Sequence, residues 1–152
     1  MPAFRDALTQ LAALSVTGIH KNYDINTTPD DLSRAQLPAL LVLPVETQED
    51  GLFRDRGTGY QAIAFSNGTR RVSYRVTHLL LIAPVMARKG SRSHLPQLIT
   101  CIDAYFTALG ADITLNQTLI EPAQVQVEPG VFTYGETEYH GCAFRHRWVM
   151  EV

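Results

Sequence analysis

Only two cysteines occur in the 152 residues, Cys101 and Cys142, and their spacing fits neither a metal site nor a redox pair. They read as free core thiols of a chain made in a reducing cytosol. Long hydrophobic runs are also missing. The apolar stretch at 79–82 is strand-sized, far short of the roughly 18 residues of a membrane span. The start, Met1-Pro2-Ala3-Phe4-Arg5-Asp6, lacks the apolar centre of a secretory leader, so the three Asn-x-Thr sequons at Asn26, Asn67 and Asn116 read as chance matches. An excess of positive charge is absent too: the net charge is -2, which excludes a generally basic nucleic-acid binder. There are no internal repeats and no low-complexity tract. What remains is a chain with 45% hydrophobic and 18% charged residues, a composition that folds, with a length that suits one domain over 1–152.

Residues 3–15 carry Phe4, Leu8, Leu11 and Leu14 at helical spacing, with Gly18 beyond the end. Residues 24–36 are polar and read as a loop with room for one short helical turn. Residues 37–44 form a short strand bounded by prolines and apolar on both faces. The charged, glycine-containing segment 46–59 reads as a long loop, disordered in a free subunit and fixed by neighbours in an assembly. Strands over 60–65 and 69–83 flank Asn67-Gly68, the strongest short hairpin signal. In the second of these, Val72, Tyr74, Val76, His78, Leu80 and Ile82 share one face. Arg71, Ser73, Arg75 and Thr77 share the other, until Leu79 and Leu81 make that face apolar as well.

Residues 94–109 form the strongest helix pattern, with Leu95, Leu98, Ile99, Ile102, Phe106 and Leu109 on a stripe expected to face the sheet, capped by Ser93 and stopped by Gly110. On that reading Phe106→Ala would cost about 3–5 kcal/mol. A short strand at 125–127 is expected to break at Pro129-Gly130. The tail from 139 to 152 alternates, with Cys142, Phe144, His146, Trp148 and Met150 on one side and Arg145, Arg147 and Glu151 on the other. The fold class is α+β: an antiparallel or mixed sheet of four to six strands, two main helices packed on one face, and a long protruding β-hairpin.

Size and charge order point beyond a monomer. A globule of this length is about 38 Å across. A strand over 69–83 would run about 50 Å, and one over 139–152 about 45 Å, so each must bend or project. Two helices can cover one face of such a sheet. The apolar residues on the opposite face need either loops folded back over them or a partner subunit. Residues 67–92 hold six basic residues and no acid, whereas residues 93–152 hold two basic and seven acidic. Such segregation suits subunits docking a basic strip onto an acidic surface, and equally a solvated hairpin face.

Reaction chemistry is not legible. Gly57-Thr58-Gly59 has no Lys-Ser/Thr after it and opens no helix, so it is not a phosphate loop. Neither cysteine sits in a nucleophile elbow. His78 and His146 lie in apolar strand faces and read as hydrogen-bonded core histidines, with no third ligand for a metal. No catalytic residue, cofactor or metal is assigned. The candidate interface residues are Arg71, Arg75, Arg88, Lys89 and Arg92, which as fixed positive charge could also touch DNA phosphates in passing.

The order of elements carries a resemblance. An N-terminal helix leads to the strand Leu37-Pro38-Ala39-Leu40 and an acidic loop. The long hairpin then runs into Leu79-Leu80-Leu81-Ile82-Ala83-Pro84, an amphipathic helix follows, and Trp148-Val149-Met150-Glu151-Val152 closes the chain. This resembles the tail-terminator and tail-completion (neck) proteins of long-tailed bacteriophages and prophages. The resemblance implies a non-enzymatic virion protein, made in the bacterial host cytoplasm. It would form a homo-oligomeric ring, usually a hexamer, on the last ring of the tail tube. There it caps polymerisation of the tail-tube protein and presents a docking surface to the neck or head-completion protein, with no membrane involved. A different neck or head-completion adaptor, or a small cytosolic enzyme or ligand-binding domain, are the competing classes.

Overall fold

The computed structural model describes residues 3–44, 59–66, 69–85 and 94–151. Helix α1 spans Ala3–Ala12 and buries Ala7, Leu8 and Leu11 at i, i+1 and i+4, the narrow stripe that its leucine spacing dictates. Strand β1 (Lys21–Tyr23) follows, then a single 3-10 turn at Arg34–Gln36, then strand β2 (Ala39–Leu43). Strands β3 (Gly59–Ser66) and β4 (Thr69–Pro84) form the expected hairpin, with Ser66 paired to Thr69; Asn67-Gly68 themselves lie outside the described residues. Helix α2 spans Leu95–Gly110, and strands β5 (Gln124–Tyr134) and β6 (Thr137–Glu151) complete the chain.

The six strands form one mixed sheet, ordered β1-β2-β4-β6-β5, with β3 paired to the hairpin end of β4. Only β1 and β2 run parallel; every other pairing is antiparallel. The fold is therefore α+β as the patterning predicts. β4 and β6 are its spine, in register from Arg71 opposite Glu151 to Pro84 opposite Tyr139. A register shift between Leu81 and Ala83 bends the pair. Both ways of accommodating a long strand are thus in use: the bulge bends β4, and its first residues, 69–70, run on with β3 past the end of the β6 pairing.

The helix side of the sheet holds the larger core, built from Leu40, Val42, Tyr74, Val76, Leu80, Phe144, Trp148 and Met150 under α1 and α2. The opposite face holds a second core of Tyr23, Leu32, Ala39, Leu41, Leu79, Leu81, Tyr139 and Ala143. The chain covers this face itself. A parallel β1-β2 pair needs a crossover, and the crossover here, residues 24–38, lies across Leu79 and Leu81. It is tied down by Tyr139 Oη donating to the Leu32 carbonyl at 3.0 Å and by Tyr134 Oη donating to the Pro29 carbonyl. Of the two covers weighed from sequence, loop and partner subunit, the loop is the one present over the apolar end of this face.

Two expectations need correction. First, α2 is rotated relative to its expected stripe: Leu98, Cys101, Tyr105 and Leu109 are buried, whereas Leu95 and Phe106 are nearly half exposed. The physical reason is Tyr105, described below. Second, β5 does not break at Pro129-Gly130. Those residues pair with Cys142 and Gly141 in an unbroken ladder, because β5 is an edge strand, where a missing N–H leaves no ladder bond unmade on the outer side. The β5–β6 hairpin turns at Gly135-Glu136, with Gly135 at φ +62°, a conformation that favours glycine. The mobile-loop reading of 46–59 and the Ser93 cap fall on residues outside those described, save Gly59.

The rotation of α2 sets relative stabilities. Leu98→Ala is expected to cost about 3 kcal/mol, and Leu95→Ala under about 1 kcal/mol, by equilibrium urea unfolding. The Phe106→Ala cost drops to about 1–2 kcal/mol, because that ring is nearly half exposed and makes edge contacts on Phe144 and Tyr105, centroids 6.2 and 6.5 Å apart. Equal costs at Leu98 and Leu95 would mean that the helix is turned otherwise.

Candidate functional site

Two constellations carry the polar chemistry of the described residues: a buried hydrogen-bond chain under α2 and an arginine field on the opposite face of the sheet.

The buried chain has one direction. Trp148 Nε1–H can only donate, and it does so to His146 Nδ1 at 3.1 Å. His146 must then carry its proton on Nε2, which faces Tyr105 Oη at 2.6 Å. The Tyr105 hydroxyl proton is left for His78 Nδ1, at 2.8 Å. His78 Nε2–H donates in turn to Asn22 Oδ1, at 2.8 Å. Asn22 cannot be flipped, because its Nδ2 donates to the carbonyls of Leu11 and Leu14 at 3.1 and 3.3 Å. Both histidine tautomers are thus assigned from the two ends of the network. The chain joins β6, α2, β4, β1 and the end of α1.

Every imidazole nitrogen in it is used, so the chain leaves no lone pair for a metal. Among the described residues no group of three or more His, Cys, Asp or Glu side chains is placed to hold one. Only neutral histidines fit: a proton on His146 Nδ1 would face the Trp148 N–H. Burial, and secondarily His146, hold His78 well below the usual histidine range. Burial pushes His146 down to about 3 and lifts the Tyr105 hydroxyl well above its ordinary value. The sequence reading of hydrogen-bonded core histidines is what the structure contains. His78 and His146 are not directly opposite, since His78 pairs with Phe144 and His146 with Val76. Tyr105 bridges them.

A second histidine pair stacks at the head of α2, His94 on His140, with centroids 3.8 Å apart. Burial, and then His94, lower His140.

On the far face, Arg71 and Arg75 project from β4 and are exposed. The β4–β6 register adds two arginines that the sequence reading left out of the site. Arg147 stands directly opposite Arg75, and Arg145 opposite Thr77. Arg145 is neutralised by Glu128 at 2.6 Å and also donates to Thr77 Oγ1 at 3.1 Å. Arg147 is exposed and reaches Gln124 Oε1 at 3.4 Å. Arg71 lies opposite Glu151. Arg71, Arg75 and Arg147 therefore form one exposed cationic field on two neighbouring strands. Arg88, Lys89 and Arg92 lie outside the described residues. Alternation along each strand placed the arginines on a face; only the register brings the two strands' arginines together.

The buried chain generates two predictions. Tyr105→Phe leaves His78 Nδ1 without its donor and His146 Nε2–H without its acceptor, so it should destabilise by about 2–4 kcal/mol. The pH dependence follows from the lowered histidines. Unfolded histidine titrates near 6.5, and below that pH the unfolded chain binds protons that the folded chain refuses. Stability is therefore complete above about pH 6.5 and falls on acidification, by about 1.4 kcal/mol per pH unit for each histidine. Urea titrations at pH 7.5 and 5.5 measure it. A His78→Gln, His146→Gln variant should lose the share of this slope due to these two residues and keep that of His140, and the same slope in wild type and variant would contradict the assignment.

No family model matches this chain, and no curated protein matches it.

Proposed function

We propose that this protein is a structural ring subunit of the tail-terminator type, which caps a phage tail tube and offers a surface to the neck. Its function then resides in surfaces. The observation that carries the reading is the arginine field: Arg71, Arg75 and Arg147 exposed on one face of the long β4–β6 pair, beside a hairpin whose end runs past the last β6 pair. Arg75 stands opposite Arg147 in the ladder, which gathers positive charge on one stretch of the pair. An acidic surface of a neighbouring subunit rewards that arrangement. Supporting it are the α+β architecture, the element order, and the concentration of basic residues in 67–92. The same field could receive DNA phosphate in a ring lumen, but the acidic balance of the rest of the chain favours a protein contact between copies.

Arg71→Glu with Arg75→Glu tests this. The fold should survive. A glutamate at position 75 gains Arg147 as a cross-strand partner, while one at position 71 meets the like charge of Glu151, each effect within about 1 kcal/mol. Light scattering and negative-stain imaging of the wild-type protein should show rings that weaken as salt rises, and the folded double variant should form fewer of them. A folded variant that assembles as well as wild type at low salt overturns the role of the field.

A further inference from the structure

The head of α2 meets the sheet through two imidazole rings. His94, the N-cap residue, lies flat on His140 of β6, with centroids 3.8 Å apart and an interplanar angle of 10°. The turn that follows has one buried side chain, Leu98, whereas Leu95, Pro96 and Gln97 are exposed. His140 is fixed from both sides, opposite Ala83 in β4 and opposite Val131 in β5. Neither ring belongs to the buried chain of Tyr105.

The polar atoms of the stack are not symmetrical in their surroundings. His94 Nδ1 and His140 Nε2 are buried and have no hydrogen-bond partner. A neutral imidazole meets this by keeping its proton on the other nitrogen, which leaves only a lone pair buried. An imidazolium has no such choice. It carries an N–H on both nitrogens, so each ring on charging places a donor where nothing accepts from it. Nor is the pair half of a metal site, because lone pairs that lie in two near-parallel planes do not converge on one ion.

Charge acts in the same direction. Burial first, and His94 second, hold His140 below the usual histidine range. His94 also stands at the positive end of the α2 dipole. Few charges face the stack. The first turn of α2, Ala83 and Pro84 of β4, and Pro129, Val131 and Thr133 of β5 carry none. On β6 the neighbouring acid on the same side is Glu138, two residues along and exposed. Arg92, two residues before His94 in the chain, lies outside the described residues and has the sign of a further protonated ring.

We infer that the His94–His140 stack is a proton-operated latch, closed while the rings are uncharged and opened on acidification, when it frees the first turn of α2 from the sheet. The latch is independent of the ring reading and works within one copy. Its sign follows from the charging that the closed stack resists. Once open, the rings take up protons near pH 6.5, as free histidine does, so closure is complete above about pH 6.5 and is lost as the pH falls below it. The opening is local, at a helix end with one buried side chain.

Amide hydrogen exchange of the full chain, corrected for the intrinsic effect of pH, reads the latch at Leu98, whose N–H donates to the His94 carbonyl at 2.8 Å. Between pH 7.5 and pH 5.0 its protection should fall at least about tenfold more than that of Leu80 and Phe144, which lie in the central strands and report global stability. His140→Phe keeps a ring in the stack without a charge, and the extra fall should vanish. In His94→Phe the ring resonances of His140 should titrate at a higher pH than in wild type, because the neighbouring charge is gone. Leu98 protection that follows Leu80 and Phe144 in wild type overturns the latch. So does an extra fall that survives in His140→Phe, or a His140 titration that His94→Phe leaves unchanged.

Discussion

The hydroxyl of Tyr105 is the point at which both helices and the centre of the sheet are held to one another. It accepts from His146 and donates to His78, and through them it is tied to Trp148 on β6 and to Asn22, which in turn ties off two carbonyls at the end of α1. A buried polar group without a partner costs more than a made hydrogen bond returns. Such a chain therefore tolerates little displacement of any member. It settles which face of α2 turns inward. Rotating the helix to bury Leu95, Ile99 and Phe106 would draw Tyr105 off Phe144, on which it stacks at 3.7 Å, and out from between the histidines. Two nearly equivalent apolar stripes were on offer. The hydrogen-bond chain breaks the tie, and the second stripe is left on the surface.

The same reasoning explains why the far face is divided. Leu79 and Leu81 continue β4's outer face beyond Thr77, and the crossover between the parallel strands β1 and β2 supplies their cover through Leu32. The crossover reaches only that end. At the other end the outer face carries the exposed Arg71, Arg75 and Arg147, and between them Ser73, Thr77 and Val149 are buried. One face of the sheet thus has an apolar end under the crossover and an arginine-bearing end beyond it.

Much of this was legible in the sequence, for identifiable reasons. β4, β6 and α2 are long enough for periodicity to accumulate, and the inward sets of both strands match their alternation residue for residue. The buried, hydrogen-bonded placement of His78 and His146 followed from their apolar faces. The rotation of α2 was not legible, because Leu95, Ile99 and Phe106 are as hydrophobic as Leu98, Cys101 and Leu109, and Tyr105 reads as one more aromatic until its partners are in place. β1, with three residues, is too short for any pattern. Pro129-Gly130 misleads over β5 because those residues forbid a central strand but not an edge. Of the five candidate interface residues, the structure describes the side chains of Arg71 and Arg75, and both lie where alternation put them. Arg147 joined them through pairing between strands distant in sequence, which composition cannot show.

The buried chain and the surface field are set by one variable, the register of β4 against β6. Tyr74 and Trp148 are opposite one another facing inward, and one step along, Arg75 and Arg147 are opposite one another facing outward. A one-residue slip of either strand would send its arginines into the core and its aromatics to the surface. The register is pinned at the far end of the pair. There a Cβ on Gly141 would run into the Leu80 carbonyl oxygen, so the strands approach as closely as backbone allows, just before the bulge at Leu81 and Ala83. Gly141 therefore stands at the end of a chain of consequence. Its missing side chain lets β6 close on β4, and the resulting register places His146 beneath Tyr105. The same register sets Arg147 beside Arg75 on the other side of the sheet.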